Sequence, residues 1–138
     1  MIRTILILIF LILFFLIGIL IWGITWIIGR FNPYRQDLIC LRSVQFAFKV
    51  VLLISGVKVE VYGEEHVPKD QAVLYVGNHR SLFDTVITYA RCPGLTGYVA
   101  KDSMLKIPFL RIWMKQLHCL FLNRKDIKEG MKMILTGI

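Results

Sequence analysis

Apolar residues run almost unbroken from Thr4 to Gly29, thin into a striped pattern up to Ser55, and beyond Gly56 give way to short runs separated by polar turns. The 26 residues between Arg3 and Arg30 carry no charge. As a helix they would reach roughly 39 Å at 1.5 Å per residue, more than the roughly 30 Å hydrocarbon core of a bilayer. Residues 4–29 are therefore expected to form a membrane helix, either transmembrane with tilt or re-entrant within one leaflet. Trp22 and Trp26 suit an interfacial aromatic belt, with Arg30 and Arg35 at headgroup level. The apolar region is too long for a secretory signal and lacks a small-x-small cleavage pattern.

From Leu38 to Ser55 the pattern changes. Arg42, Gln45 and Lys49 recur at i, i+3 and i+7, which draws a narrow polar stripe along an otherwise apolar helix. The stripe suits an amphipathic helix 38–55 lying at the interface beside the first. A buried helix of the soluble part with its two cations snorkelling gives the same pattern. Residues 1–55 are thus expected to be a membrane anchor and residues 56–138 the N-terminal portion of a soluble domain.

Gly56 reads as a helix C-cap. Val57, Val59 and Val61 alternate with Lys58, Glu60 and Tyr62, which predicts a half-buried strand. A polar turn follows over 63–70, and the continuous apolar run Ala72 to Val76 predicts a strand covered on both faces. Phe83 to Ala90 predicts a short helix stopped at Arg91-Cys92-Pro93-Gly94, and Gly97 to Ala100 a strand. Asp102 or Ser103 is placed to cap a helix that Pro108 interrupts or restarts, with Phe109, Ile112, Trp113 and Leu117 inward. His118 to Leu122 predicts another strand and Ile127 to Leu135 a closing helix. Strands alternating with helices imply an α/β layer architecture.

Composition narrows the partners. Lys and Arg exceed Asp and Glu by 17 to 9, and the net +8 divides as +4 on each side of Gly56. With a bilayer segment present and no nucleic-acid motif, anionic lipid headgroups are the expected partner and nucleic acid is not. Cys40, Cys92 and Cys119 are odd in number, widely spaced and without a CxxC pair, so they are read as reduced thiols. His66, His79 and His118 share no ligand spacing, and no metal site is expected.

The chemistry concentrates at Asn78-His79-Arg80-Ser81-Leu82-Phe83-Asp84, directly after the apolar run 72–77. Strand exits are where α/β sheets present reactive groups. Imidazole takes a proton from an alcohol near neutral pH, and such a base contributes roughly 10²- to 10⁴-fold. With His79 in the turn and Asp84 in the first helical turns, the carboxylate folds back to fix the tautomer and stabilise the imidazolium. Ser81 lacks a GxSxG elbow; hydrogen bonding within the turn is its alternative to a nucleophilic role.

With Asn78 before His79, Ser81 after it and Asp84 closing the motif behind an apolar anchor, the chain resembles the glycerolipid acyltransferases, and most nearly the 1-acylglycerol-3-phosphate O-acyltransferases. The likeness runs from about Val57 to Leu135. A second block matches at Lys101, Ile107-Pro108-Phe109 and Leu120-Phe121-Leu122-Asn123-Arg124. The resemblance implies a mixed sheet flanked by helices, with His79 as general base and Asp84 orienting it. It also implies that Arg124 holds the acceptor's phosphate, a role that suits a guanidinium's paired donors, and that Asn78, Ser81 and Lys101 line the substrate.

The activity implied is transfer of a fatty acyl group from acyl-CoA or acyl-carrier protein to a lysophospholipid hydroxyl, with 1-acylglycerol-3-phosphate giving phosphatidic acid. No cofactor is implied; the place of action is expected to be the cell membrane, with the catalytic part on the cytoplasmic face from the slight excess of Arg and Lys after the first helix. The family's third block, Phe-Pro-Glu-Gly-Thr-Arg, and its fourth are not in the sequence; Glu129-Gly130 does not match because Met131 follows it. The chain is therefore expected to be C-terminally truncated, and the alternative is a non-catalytic membrane-bound remnant that binds anionic lipid.

Overall fold

The computed structural model describes residues 1–68 and 71–123, together with Lys128, Gly130, Lys132 and Leu135. Two long helices come first, α1 over Ile2–Phe31 and α2 over Pro33–Ser55. Both are long and apolar enough to cross a membrane. Asn32 and Pro33 divide them. The Asn32 side-chain oxygen accepts the Arg35 amide at 3.0 Å, while proline opens α2 at a position whose N–H would find no helical partner. This cap starts α2 five residues before the expected Leu38.

The chain folds as two compact units, Met1–Phe14 with Ser43–Pro93, and Phe15–Arg42 with Gly94–Ile138. In the first, the Arg3 guanidinium donates to the Ser55 carbonyl at 3.0 Å, so the start of α1 lies at the end of α2 and the two run antiparallel. Gly56 ends α2 in the left-handed region at φ 72°, its amide bonded to the Leu52 carbonyl at 3.1 Å. A single 3-10 turn follows at Glu64–His66, and α3 spans Leu82–Arg91. Ala47, Val51, Tyr89, Ala90 and Cys92 form the buried apolar core. The Phe48 and Tyr89 rings meet edge to face at 6.0 Å.

The expected strands at 57–62 and 72–76 are not strands in this unit. Among the described residues neither segment is paired in a ladder, and Leu74 and Val76 stand 85% and 88% exposed. Alternation and apolar runs encode which face of an extended segment seeks burial, but a strand also needs a neighbour to take its N–H and C=O groups.

The second unit contains the α/β part. Strand β1 (Val99–Lys101) pairs in parallel with β2 (Leu120–Leu122), with Val99 opposite Leu120 and Lys101 opposite Leu122. Parallel neighbours need a crossover. It is made by a 3-10 turn over Asp102–Lys106 and α4 over Pro108–Gln116. Neither Asp102 nor Ser103 caps α4, as the sequence suggested. Ile107 takes that position without a side-chain bond, because Pro108 restarts the helix at its first residue. Trp113 and Leu117 are buried as expected.

Trp113 lies on Gly18 of α1, where an added Cβ would stand 3.2 Å from the indole. Phe109 meets Phe15 edge to face at 5.9 Å. Lys128, Gly130, Lys132 and Leu135 are helical; the other residues of the helix expected over Ile127 to Leu135 lie outside the described residues.

Candidate active site

The first turn of α3 is built by its own sequence. Ser81 leaves the extended backbone at φ −139°, ψ 154° and caps the helix; its hydroxyl accepts the Phe83 amide at 3.2 Å. Three residues on, Asp84 reaches back, and Oδ2 accepts the amides of Arg80 and Ser81, each at 2.7 Å. This reciprocal arrangement satisfies donors that a helix start otherwise leaves orphaned. Ser81-x-x-Asp84 was a readable signal for it, a capping-box spacing inside the candidate motif.

The same oxygen of Asp84 faces His79, whose Nδ1 lies 3.5 Å away. Both side chains are partly open to solvent, 55% and 41% exposed. The Asp84 carboxyl is held below its ordinary range, first by the Arg80 amide, then by the Ser81 amide, with the charges of His79 and Arg80 adding to them. It is therefore an anion at neutral pH. With Nδ1 turned to that anion, Nε2 is the nitrogen left to take a proton from a hydroxyl. The predicted pairing of His79 with Asp84 is thus present, and Ser81 is bonded within the turn.

Asn78 is exposed on the irregular segment before His79. Lys101, also exposed, ends β1 in the second unit. Arg124 lies outside the described residues. The three cysteines are free thiols, and burial pushes the Cys119 thiol above its ordinary value, which disfavours the thiolate.

Two features had no signal in the sequence. In the second unit His118 Nε2 lies 2.7 Å from Asp37 Oδ2, while the Gln116 amide donates to Asp37 Oδ1 at 2.5 Å and the Gln36 amide to Gln116 at 3.0 Å. Asp37 is only 13% exposed. In the first unit the Gln45 carboxamide, 3% exposed, donates to the carbonyls of Tyr89 and Cys92 at the far end of α3. Contacts across so many intervening residues leave no periodic trace in a single chain.

The profile of the Acyltransferase family matches residues 58–136. The chain is 34% identical over 99 residues to the 1-acyl-sn-glycerol-3-phosphate acyltransferase of Borreliella burgdorferi, covering 70% of this chain and 37% of that one. It is 33% identical over 92 residues to a probable 1-acyl-sn-glycerol-3-phosphate acyltransferase of Mycoplasma pneumoniae, covering 64% and 34%. The chain thus spans about a third of the length of these curated relatives. No solved structure matches it significantly.

Proposed function

This chain belongs to the Acyltransferase family, and on that premise we propose that it serves transfer of a fatty acyl group from a thioester donor, acyl-CoA or acyl-carrier protein, to the free hydroxyl of 1-acylglycerol-3-phosphate. The observation that carries the reading is the approach of His79 Nδ1 to Asp84 Oδ2 at the capped start of α3. In this mechanism His79 Nε2 takes the proton as the acceptor oxygen attacks the thioester carbonyl. The tetrahedral intermediate then expels the thiolate, the C–S bond breaks, and the imidazolium returns the proton to sulfur. Asp84 holds the ring and offsets its transient charge throughout. Arg124 and Lys101 supply cations for the acceptor's phosphate, and Asn78 and Ser81 border the reacting groups.

The membrane supplies the acceptor. Along α2, Ile39, Phe46 and Leu53 are exposed at seven-residue intervals on one face, next to exposed Arg42 and Lys49. Near the tip of the helix pair the Arg30 guanidinium sits 4.8 Å over the Trp26 ring, a pairing suited to the headgroup layer.

Of the two expected placements of α1, the packing favours the re-entrant one. The middle of α1 lies against α4, which carries exposed Arg111 and Lys115. An upright α1 would carry these cations toward the hydrocarbon core, at about 2.5 to 3.5 kcal/mol each. Lying along one leaflet avoids that cost. The reading places the protein at the cell membrane, with its polar part on the cytoplasmic face.

Acyl transfer from a thioester to lysophosphatidic acid, measured for the full-length protein and for His79→Ala, tests the proposal. A rate lower by roughly 10²- to 10⁴-fold in the variant is expected. An unchanged rate, or vesicle binding without turnover in both proteins, would sink it and leave an anchor that binds anionic lipid.

A further inference from the structure

The capping box fixes Asp84 in the first turn of α3, facing His79 just before it, and does nothing to fix α3 itself. At that end the helix is open, with Leu82 75% and Phe83 38% exposed. Its grip lies at the other end. Tyr89 and Ala90 are buried there, and the carbonyls at that end, of which Tyr89 O already takes the Cys92 amide at 3.3 Å, turn toward α2. One carboxamide meets two of them. The Gln45 Nε2 group donates to Tyr89 O at 3.2 Å and to Cys92 O at 2.7 Å, and three residues along α2 the Phe48 ring packs on Tyr89.

Gln45 is an unusual choice for its place. The other buried positions of α2, Cys40, Leu41, Ala47 and Val51, are apolar, and burying an amide is unfavourable unless its hydrogen bonds are remade. Packing alone would be served by leucine or methionine. The two carbonyls need a side chain with two N–H donors and no charge, and glutamine provides both. Glutamate has the same shape with the wrong polarity. The interaction is therefore chosen for direction, and what it directs is the axis of the helix that bears Asp84 and begins just after His79.

We propose that Gln45 is a positioning residue for the His79–Asp84 dyad, coupling α3 to α2 so that the helix held by the membrane sets where the imidazole meets the lipid hydroxyl. The inference rests on the acyl-transfer reading above for its kinetic consequence, while its structural half stands apart from activity. Gln45 touches no reacting atom; it acts through α3.

The test uses the full-length protein in vesicles containing phosphatidylglycerol, with Gln45→Met to keep volume and Gln45→Glu to keep shape while removing the donors. Both variants should bind vesicles as the parent does. Both should lose kcat by about 10- to 100-fold with little change in KM for the thioester, the scale expected when a reacting group is displaced by about an ångström. In a His79→Ala background the same substitutions should cost nothing further, because there is no base left to misplace.

Hydrogen exchange over residues 84–92 and the NMR titration of the His79 ring supply the readout that does not need turnover. Faster exchange in the last turn of α3 and a changed His79 titration are expected in both variants. Unaltered exchange and titration would overturn the inference whatever the activity, as would a kcat loss that persists in full without His79. If the parent protein shows no turnover yet the exchange and titration change as expected, the acyl-transfer reading fails while the positioning of His79 by Gln45 stands.

Discussion

His79 Nδ1 lies 3.5 Å from Asp84 Oδ2, while the same oxygen holds two backbone amides at 2.7 Å. The contact to the ring is longer than a formed N–H···O bond, about 2.7 to 3.2 Å. The carboxylate is thus anchored first to the backbone and offers its remaining capacity to the ring, which draws closer as it gains a proton. Asp84→Asn keeps an acceptor for the amides and loses the charge. Turnover is expected to fall on the order of 10²-fold with the fold retained, which steady-state kinetics alongside circular dichroism will check.

The depressed pKa of Asp84 fixes the sign of a pH effect. A carboxyl whose folded value lies below its unfolded one contributes stability that is complete above the unfolded value and is lost as pH falls through the folded one. The cause is chiefly the Arg80 amide, then the Ser81 amide. Acid unfolding should therefore steepen below the ordinary carboxylate range, and Asp84→Asn should flatten that limb. A carboxyl-carbon NMR titration of Asp84 gives the direct reading, with a midpoint below that of an unstructured peptide.

Ser81 supports the same turn from the other side. Ser81→Ala removes the oxygen that accepts the Phe83 amide and is expected to cost about 0.5 to 2 kcal/mol of stability. Ser81→Thr, which retains a capping hydroxyl, should recover most of it. Comparison of their thermal midpoints separates this capping role from a nucleophilic one, since a nucleophile replaced by threonine would lose turnover without losing stability.

Asp37 ties the start of α2 to the segment entering β2 through Gln116 and His118. Asp37→Ala removes the acceptor from both at once and leaves a part-buried amide unpaired, an expected loss of about 1 to 3 kcal/mol. Chemical denaturation should show it as a lower midpoint at unchanged slope. His118→Ala should cost less, because that ring is 67% exposed and its pairing is screened by solvent.

Trp113→Ala empties the contact with Gly18 and is expected to destabilise by about 3 to 5 kcal/mol. The reverse change tests the same fit. A Cβ at Gly18 would stand 3.2 Å from the indole, closer than ordinary contact, so Gly18→Val should strain the contact where Gly23→Val, with open space around it, should not.

Local chemistry was legible in the sequence and partnership was not. The two apolar helices, the His79–Asp84 pair, the stop at Gly56 and the helix after Ser81 each depend on residues within a few positions of one another. Strands β1 and β2 were each read to within two residues of their bounds, because Gly97 before one, Asn123 after the other and the Pro-started helix between them carry their own punctuation; their parallel pairing was not read. The runs 57–62 and 72–76 looked equally strand-like and are unpaired among the described residues. Gln45 was read as one member of a polar stripe. Its neighbours Arg42 and Lys49 do face outward, but Gln45 is buried against α3, a fact decided 44 and 47 residues away in sequence.

The indole of Trp113 resting on Gly18 has a practical corollary. A shortened version lacking α1 would bare a broad aromatic surface on α4, and such surfaces draw chains into aggregates. Removing the greasy leader to ease purification should yield sticky, poorly behaved material, while a mild detergent that keeps α1 in place should yield a monodisperse one.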